Sequence, residues 1–187
     1  MGAIIDGKQL SLRLKGEMAE EVKALAEKYG RVPSLAVIIV GENPASQSYV
    51  RGKIKAAEEV GIKSELITMP ADTTEDALLA EIDSLNADAL IDGVLVQLPL
   101  PKHIDEERVI DAIAFEKDVD GFHPANVANL WLGKPCIVPC TPKGVMQMIA
   151  ECGFDVAGKK AVVVGRSNIV GKPMVKLLLD ANATVTI

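Results

Sequence analysis

Aromatic residues are scarce in this chain: one Trp, two Tyr and three Phe, 3% of 187 residues. Cysteine is scarcer, with three residues, an odd number that makes no disulfide framework. Cys136 and Cys140 are separated by three residues, but His103 and His123 are the only histidines. Too few further ligands lie near the pair for a structural zinc site, so reduced thiols of a cytosolic protein are expected instead. A basic excess is also missing. Lys and Arg number 20 against 26 Asp and Glu, a net charge of -6. This excludes a non-specific nucleic-acid binder, which needs a positive footprint, and leaves room for a local basic pocket that holds an anionic ligand. The N-terminus lacks a basic-then-apolar leader pattern, and no apolar run approaches the length of a membrane span. A cytoplasmic protein without nucleic-acid or membrane partners is the expectation.

What is present is aliphatic. Hydrophobic residues make up 49% and charged residues 25%, the balance of an α/β protein rich in Val, Ile, Leu and Ala. The length suits one large domain, or one domain and part of a second. From Lys8 to Tyr29, Leu14, Met18, Val22 and Leu25 recur at helical spacing, and Gly30 supplies a stop. The short apolar run Leu35 to Val40 predicts a strand buried on both faces. Ser46 is expected to cap a helix reaching Val60, with Gly61 just past its end. A strand over 65–69, a helix over 74–85, a strand over 93–97 and a helix from about Asp105 follow. This alternation predicts an α/β fold, a parallel sheet covered by helices.

The stretch Phe115 to Pro142 breaks the rhythm with Gly, Pro and Asn, and reads as a long functional loop and linker. Thr141-Pro142 is expected to open a new helix, Thr as cap and Pro in the first turn. A strand over 161–164, a glycine turn, a helix over 173–180 and a strand over 184–187 then begin a second unit. The expected division is 1–140 and 141–187.

Several residues in this frame can carry chemistry. Gly165-Arg166-Ser167-Asn168-Ile169-Val170-Gly171 lies between a predicted strand and helix, where free N–H groups and the helix dipole favour phosphate. Ser167 stands at the second glycine position of the G-x-G-x-x-G pattern, so a turn that only needs glycine is the competing reading. Arg166 is either a partner for the 2′-phosphate of NADP or a solvated charge. Tyr49 and Lys53 lie four apart on one helix, flanking Val50, Ile54 and Ala57. Lys53 is either a partly desolvated proton carrier or a lysine snorkelling to water. Tyr49 can offer its ring to a flat heterocycle. Short-chain dehydrogenases use the same Tyr-x-x-x-Lys spacing, but their glycine turn precedes the pair. Here it follows by more than a hundred positions, which excludes that reading.

Gln97 ends a buried-looking strand, where ligands of open α/β sheets bind. Its amide can accept from a lysine or donate to a substrate oxygen, or simply bond backbone. Asp118 and Asp120 alternate in Lys117-Asp118-Val119-Asp120-Gly121. They either cap local backbone or offer one carboxylate to the N–H groups of a pterin-like base.

Together these blocks carry a resemblance. Tyr49-Val50-x-x-Lys53, Asp92 to Pro101, Lys117 to Phe122, Pro139-Cys140-Thr141-Pro142, and Gly165-Arg166-Ser167 with Val170-Gly171 and Pro173 resemble the methylenetetrahydrofolate dehydrogenase/cyclohydrolase family. Their order is kept, from the first helix to the last residue. The resemblance implies a folate-binding catalytic domain, 1–140, followed by an incomplete Rossmann-type NADP-binding domain, 141–187, with the active site in the cleft between them. It implies oxidation of 5,10-methylenetetrahydrofolate with NADP, then hydrolysis of the methenyl product to 10-formyltetrahydrofolate. Lys53 matches the family's proton-transferring lysine, Gln97 the glutamine that orients it, Tyr49 the stacking ring and Asp120 the pterin anchor. Val96, Leu98 and Pro99 belong with the substrate contacts, and Gly165, Arg166 and Ser167 match the nucleotide turn. No metal is expected for the core chemistry. The partners implied are tetrahydrofolate derivatives and, at full length, a second copy in a homodimer. The family continues past Ile187, so the second domain is expected to be incomplete here. A dehydrogenase without cyclohydrolase activity, and a folate- or nucleotide-binding module without turnover, are the alternatives.

Overall fold

The computed structural model of the protein describes residues 4–187. They divide into two compact units, one of Leu12–Val119 and one joining the residues up to Ser11 with Asp120–Ile187.

Helix α1 (Gly7–Tyr29), which belongs to the first unit from Leu12 onward, leads into strand β1 (Ser34–Val40). Gly30, at φ 71°, ends the helix in the left-handed region that glycine tolerates. Then come α2 (Pro44–Glu59), β2 (Lys63–Met69), α3 (Glu75–Ala87), β3 (Gly93–Val96) and α4 (Glu106–Ala112). The strands pair in parallel in the order β2-β1-β3. Successive β1 side chains point to opposite faces. Ala36, Ile38 and Val40 join Leu78 and Ile82 of α3 and Val109 of α4 in one core. Val37 and Ile39 join Val50 and Ile54 of α2 in the other. The apolar run is therefore continuous because both faces of the sheet are covered, as its sequence predicts.

The expected helix at Ser46 starts earlier. Asn43 caps α2, its Oδ1 accepting from Ala45 N at 3.0 Å and Ser46 N at 3.2 Å, while Pro44 takes the first turn. Proline suits that position because it lacks the N–H a first-turn residue cannot use. Ser46 is buried inside the helix instead.

The expected linker 115–142, which runs from the first unit into the second, is irregular apart from one helix in its middle and the start of another. Helix α5 (Pro124–Leu132) occupies its middle, capped by His123, whose Nδ1 accepts from Ala125 N at 3.1 Å. It buries Asn126 and Leu130, one helical turn apart, and Gly133 ends it at φ 65°. Helix α6 (Cys140–Glu151) begins before Thr141, and no side chain caps it; Pro142 is one of its buried residues. Strand β4 (Lys160–Val162), helix α7 (Gly171–Asp180) and strand β5 (Thr184–Thr186) follow, the two strands pairing in parallel. Their core joins Val156, Met174, Leu178 and Ala183. Among the described residues no helix is long and apolar enough to cross a membrane.

Candidate functional site

The unit Leu12–Val119 holds Tyr49, Lys53 and Gln97. Helix α2 is fixed to the sheet by Val50, which is buried, and by Ile54. Tyr49 and Lys53 adjoin these anchors in sequence. The Tyr49 ring is 69% exposed, free to cover a flat ligand, and Lys53 is half-buried.

Gln97 follows β3, and its N–H donates to Ile38 O at 2.9 Å, which prolongs the ladder by one bond. Along β3, Val94 and Val96 face the α3/α4 core and Leu95 faces the α2 core. The alternation turns Gln97 toward the α2 face, on the same side of the sheet as Val50 and Ile54. Its Nε2 donates to Leu98 O at 2.6 Å, and its buried Oε1 has no hydrogen-bond partner among the described residues. Buried acceptors are nearly always satisfied, so an oxygen left open at a strand's carboxyl end marks a place for a donor. Val96 and Leu98 send their side chains into the α3/α4 core, the Leu98–Pro99 bond that follows is cis, and Pro99 is exposed.

The segment after α4 runs beside β3. Val94 N donates to Lys117 O at 2.7 Å, and Val94 and Asp118 form an isolated parallel bridge. Asp118 is buried at 3% exposure. Gly93 has no room for a side chain because Val119 Cγ1 fills that space.

Asp120 is the first residue of the other unit's main segment and is half-buried. Gly121 follows at φ 72°, and a Cβ there would stand 2.6 Å from Ile137 O, so glycine is required on both counts. Further on, Gly165 at φ 142° turns the chain after β4. Its carbonyl lies against Gly171, where any Cβ would collide with it. The two glycines thus bring the turn tightly onto the start of α7. Ser167 stands inside it, Oγ accepting from Val170 N at 3.2 Å and Gly171 N at 3.3 Å. Its hydroxyl takes up two N–H groups where the turn meets the helix, which glycine at this position would not do. Arg166 is exposed.

No group of three or more His, Cys, Asp or Glu side chains able to hold a metal occurs among the described residues. The three cysteines are thiols, and burial pushes Cys136 upward from the ordinary thiol range against the opposing charge of Lys176. One polar feature had no signal in the sequence. Lys117 Nζ donates to the carbonyls of Leu85, Asn86 and Asp88 at 2.8, 2.9 and 2.7 Å, some thirty positions away along the chain.

Residues 5–120 match the model of the tetrahydrofolate dehydrogenase/cyclohydrolase catalytic domain, and residues 139–187 match that of the family's NAD(P)-binding domain. The chain belongs to the tetrahydrofolate dehydrogenase/cyclohydrolase family. It is 57% identical over 187 residues to the bifunctional protein FolD of Listeria innocua, covering 100% of this chain and 66% of that relative. It therefore spans slightly less than two thirds of the relative's length. Its fold is similar to the bifunctional methylenetetrahydrofolate dehydrogenase/cyclohydrolase of Campylobacter jejuni, at TM-score 0.95 and 49% identity, covering 98% of this chain and 65% of that one. A Trypanosoma brucei member of the family, solved with NADP and an inhibitor, aligns at TM-score 0.95 and 40% identity, covering 99% of this chain and 63% of that one.

Proposed function

We propose that the protein interconverts one-carbon tetrahydrofolates: NADP-dependent oxidation of 5,10-methylenetetrahydrofolate, then hydrolysis of the methenyl product to 10-formyltetrahydrofolate. The observation that carries this reading is Gln97 Oε1, buried without a partner among the described residues on the sheet face that α2, the helix of Tyr49 and Lys53, covers through Val50 and Ile54. With Nε2 tied to Leu98 O, the amide presents only an acceptor, which suits an ammonium or a substrate N–H. The family membership and the relatives' names point the same way.

In this reading Tyr49 covers the pterin and Asp120 accepts from its N–H groups. Water adds to the methenyl carbon, and the Lys53 amine takes the proton it loses. The carbon–nitrogen bond to N5 then breaks, Lys53 returns its proton to N5, and the hydroxyl on carbon gives up its own proton to solvent as it becomes the formyl carbonyl. Gln97 Oε1 accepts from the Lys53 N–H and holds it at the reacting carbon. Val96 and Leu98 offer the folate only backbone atoms, since their side chains lie in the α3/α4 core, and the exposed Pro99 shapes the edge beside Gln97.

Gly165, Arg166 and Ser167 would hold NADP. Gly165, exposed and with open space where a side chain would stand, lets a pyrophosphate approach the backbone, and the exposed guanidinium of Arg166 suits a 2′-phosphate. Bound there, the nucleotide supplies the hydride acceptor for the first reaction. We place the folate domain at 1–140 and the start of the nucleotide domain at 141–187, in a cytoplasmic homodimer at full length.

The test is to assay NADP reduction and methenyltetrahydrofolate hydrolysis in the full-length protein, with and without Lys53→Ala. General acid–base catalysis contributes about 10²–10⁴-fold, and hydrolysis should fall by that much while the fold persists. Lys53→Arg should do little better, since guanidinium does not give up its proton. Near-normal hydrolysis by the alanine variant would sink the assignment. Absence of hydrolysis in the wild type would leave a dehydrogenase alone, and binding without turnover would leave a regulatory module.

A further inference from the structure

Lys117 has no part in the chemistry proposed above, yet its ammonium uses all three of its donors. They go to Leu85 O, Asn86 O and Asp88 O, at the end of α3. The last carbonyls of a helix have no intrahelical partner and carry the negative end of its dipole, so a cation is well matched there. The bonds tie the segment after α4 to α3. Asn86 adds a second clasp, its Nδ2 donating to Ala112 O at 2.7 Å and its Oδ1 accepting from Ala114 N at 2.9 Å. Lys117 O takes Val94 N at 2.7 Å, and Val119 fills the notch at Gly93. Backbone, ammonium and side-chain packing thus fix 117–119 along β3. Asp120 is the next residue, about 3.8 Å on by Cα.

We infer that Lys117 is a positioning residue for Asp120: it sets where the chain leaves β3 and therefore where the Asp120 carboxylate meets a folate. The inference rests on the reading of Asp120 as the pterin anchor. Its measure is the folate KM, because misplacing a group that binds ground state and transition state alike raises KM and leaves kcat largely unchanged. In the full-length enzyme, Lys117→Met should raise the KM for the folate in methenyl hydrolysis about tenfold, the effect expected for one charge-assisted hydrogen bond. kcat and the NADP KM should stay within about twofold.

Adding Lys117→Met to Asp120→Ala should raise the folate KM by less than about twofold, because residues acting through one another are not additive. Lys117→Arg keeps the charge without the compact three-donor head, and should lie between wild type and Lys117→Met; it also serves if the methionine variant does not fold. An unchanged folate KM in folded Lys117 variants overturns the inference. So does an equal KM increase with and without Asp120, and so does a parallel fall of all parameters with the folded fraction. A normal folate KM in Asp120→Ala alone would overturn the reading of Asp120 itself, and the role of Lys117 with it.

Discussion

The sheets of the two units differ in what covers them. In the first, Ala36, Val37 and Ile38 of β1 are wholly buried between helices on both faces. In the second, the pair β4–β5 leaves Val162 71% exposed and Val164, just beyond β4, 98% exposed. Beside it lies an apolar cavity of about 660 Å³ lined by Val145, Ile149, Phe154, Val163, Met174 and Leu178 among others. In the 187 residues given, which span 66% of the Listeria innocua relative, an aliphatic sequence thus forms a covered core in one unit and an exposed one in the other. The difference is packing, not propensity. Strands become stable through the layers laid on them, and a sheet of two is marginal by itself.

The largest expected effect sets these regions against each other in the 187-residue chain. Ile82→Ala removes a wholly buried side chain from the α3 face of the first sheet and should cost roughly 2–5 kcal/mol. Val164→Thr changes a side chain that buries almost nothing and should stay within about 0.5 kcal/mol. Urea denaturation followed by circular dichroism reads the first. Trp131, the only tryptophan, lies in α5 of the second unit and reports the other by fluorescence. A cost above about 1 kcal/mol for Val164→Thr would mean that its neighbourhood is covered in solution, and the contrast would fail.

A smaller effect concerns the glycine turn of the second unit. Arg166→Ala should weaken NADP far more than NAD in the full-length protein. Removing a charge-assisted bond to phosphate costs roughly 1.5–3 kcal/mol, on the order of ten- to a hundredfold in affinity. Titration calorimetry with both nucleotides decides it, and an equal effect on the two would mean that Arg166 does not read the 2′-phosphate.

How much of this the sequence disclosed follows the same division. The strands β1 and β3 were legible because burial on two faces leaves an unbroken apolar run. The place of Gln97 at a strand's end was legible because it closes such a run, and the place of Tyr49 and Lys53 on one helix because helical spacing groups them. Helix α5 was not. Its Asn126 and Asn129 favour turns, and its burial of Asn126 and Leu130 depends on tertiary packing that local pattern does not carry. The cap of α2 was misplaced by three residues because Asn43-Pro44 and Ser46 are both good starts, and proline geometry decided between them. The Lys117 clasp had no local signature, since its carbonyls come from another helix. Ser167 could be read only as a departure from a glycine pattern, whereas its hydroxyl binds the N–H groups of Val170 and Gly171.

The smallest expected effect belongs to the covered unit and appears as a pH dependence. Arg31 grips Asp92 through two bonds of 2.7 and 2.6 Å, and Asp92 Oδ2 also accepts from Ser34 N at 2.8 Å. The guanidinium first, helped by the Ser34 N–H, holds the Asp92 carboxyl below the usual aspartate range against a desolvation that acts the other way. A carboxyl depressed on folding stabilises above its unfolded pKa and loses that contribution as pH falls through the folded one. The stabilisation should therefore be complete at neutral pH and decline only below the ordinary aspartate range. Both side chains are substantially exposed, so solvent screens the pair and salt should reduce the effect. Asp92→Asn should flatten this part of the acid limb, while the amide of Ser34, at the entrance of β1, exchanges faster. Hydrogen exchange at Ser34 and Val163 compares the two sheets directly. A variant with an unaltered acid limb and unaltered Ser34 exchange would show that the ion pair does not hold the start of β1, and that apolar cover alone accounts for the stability of the first sheet.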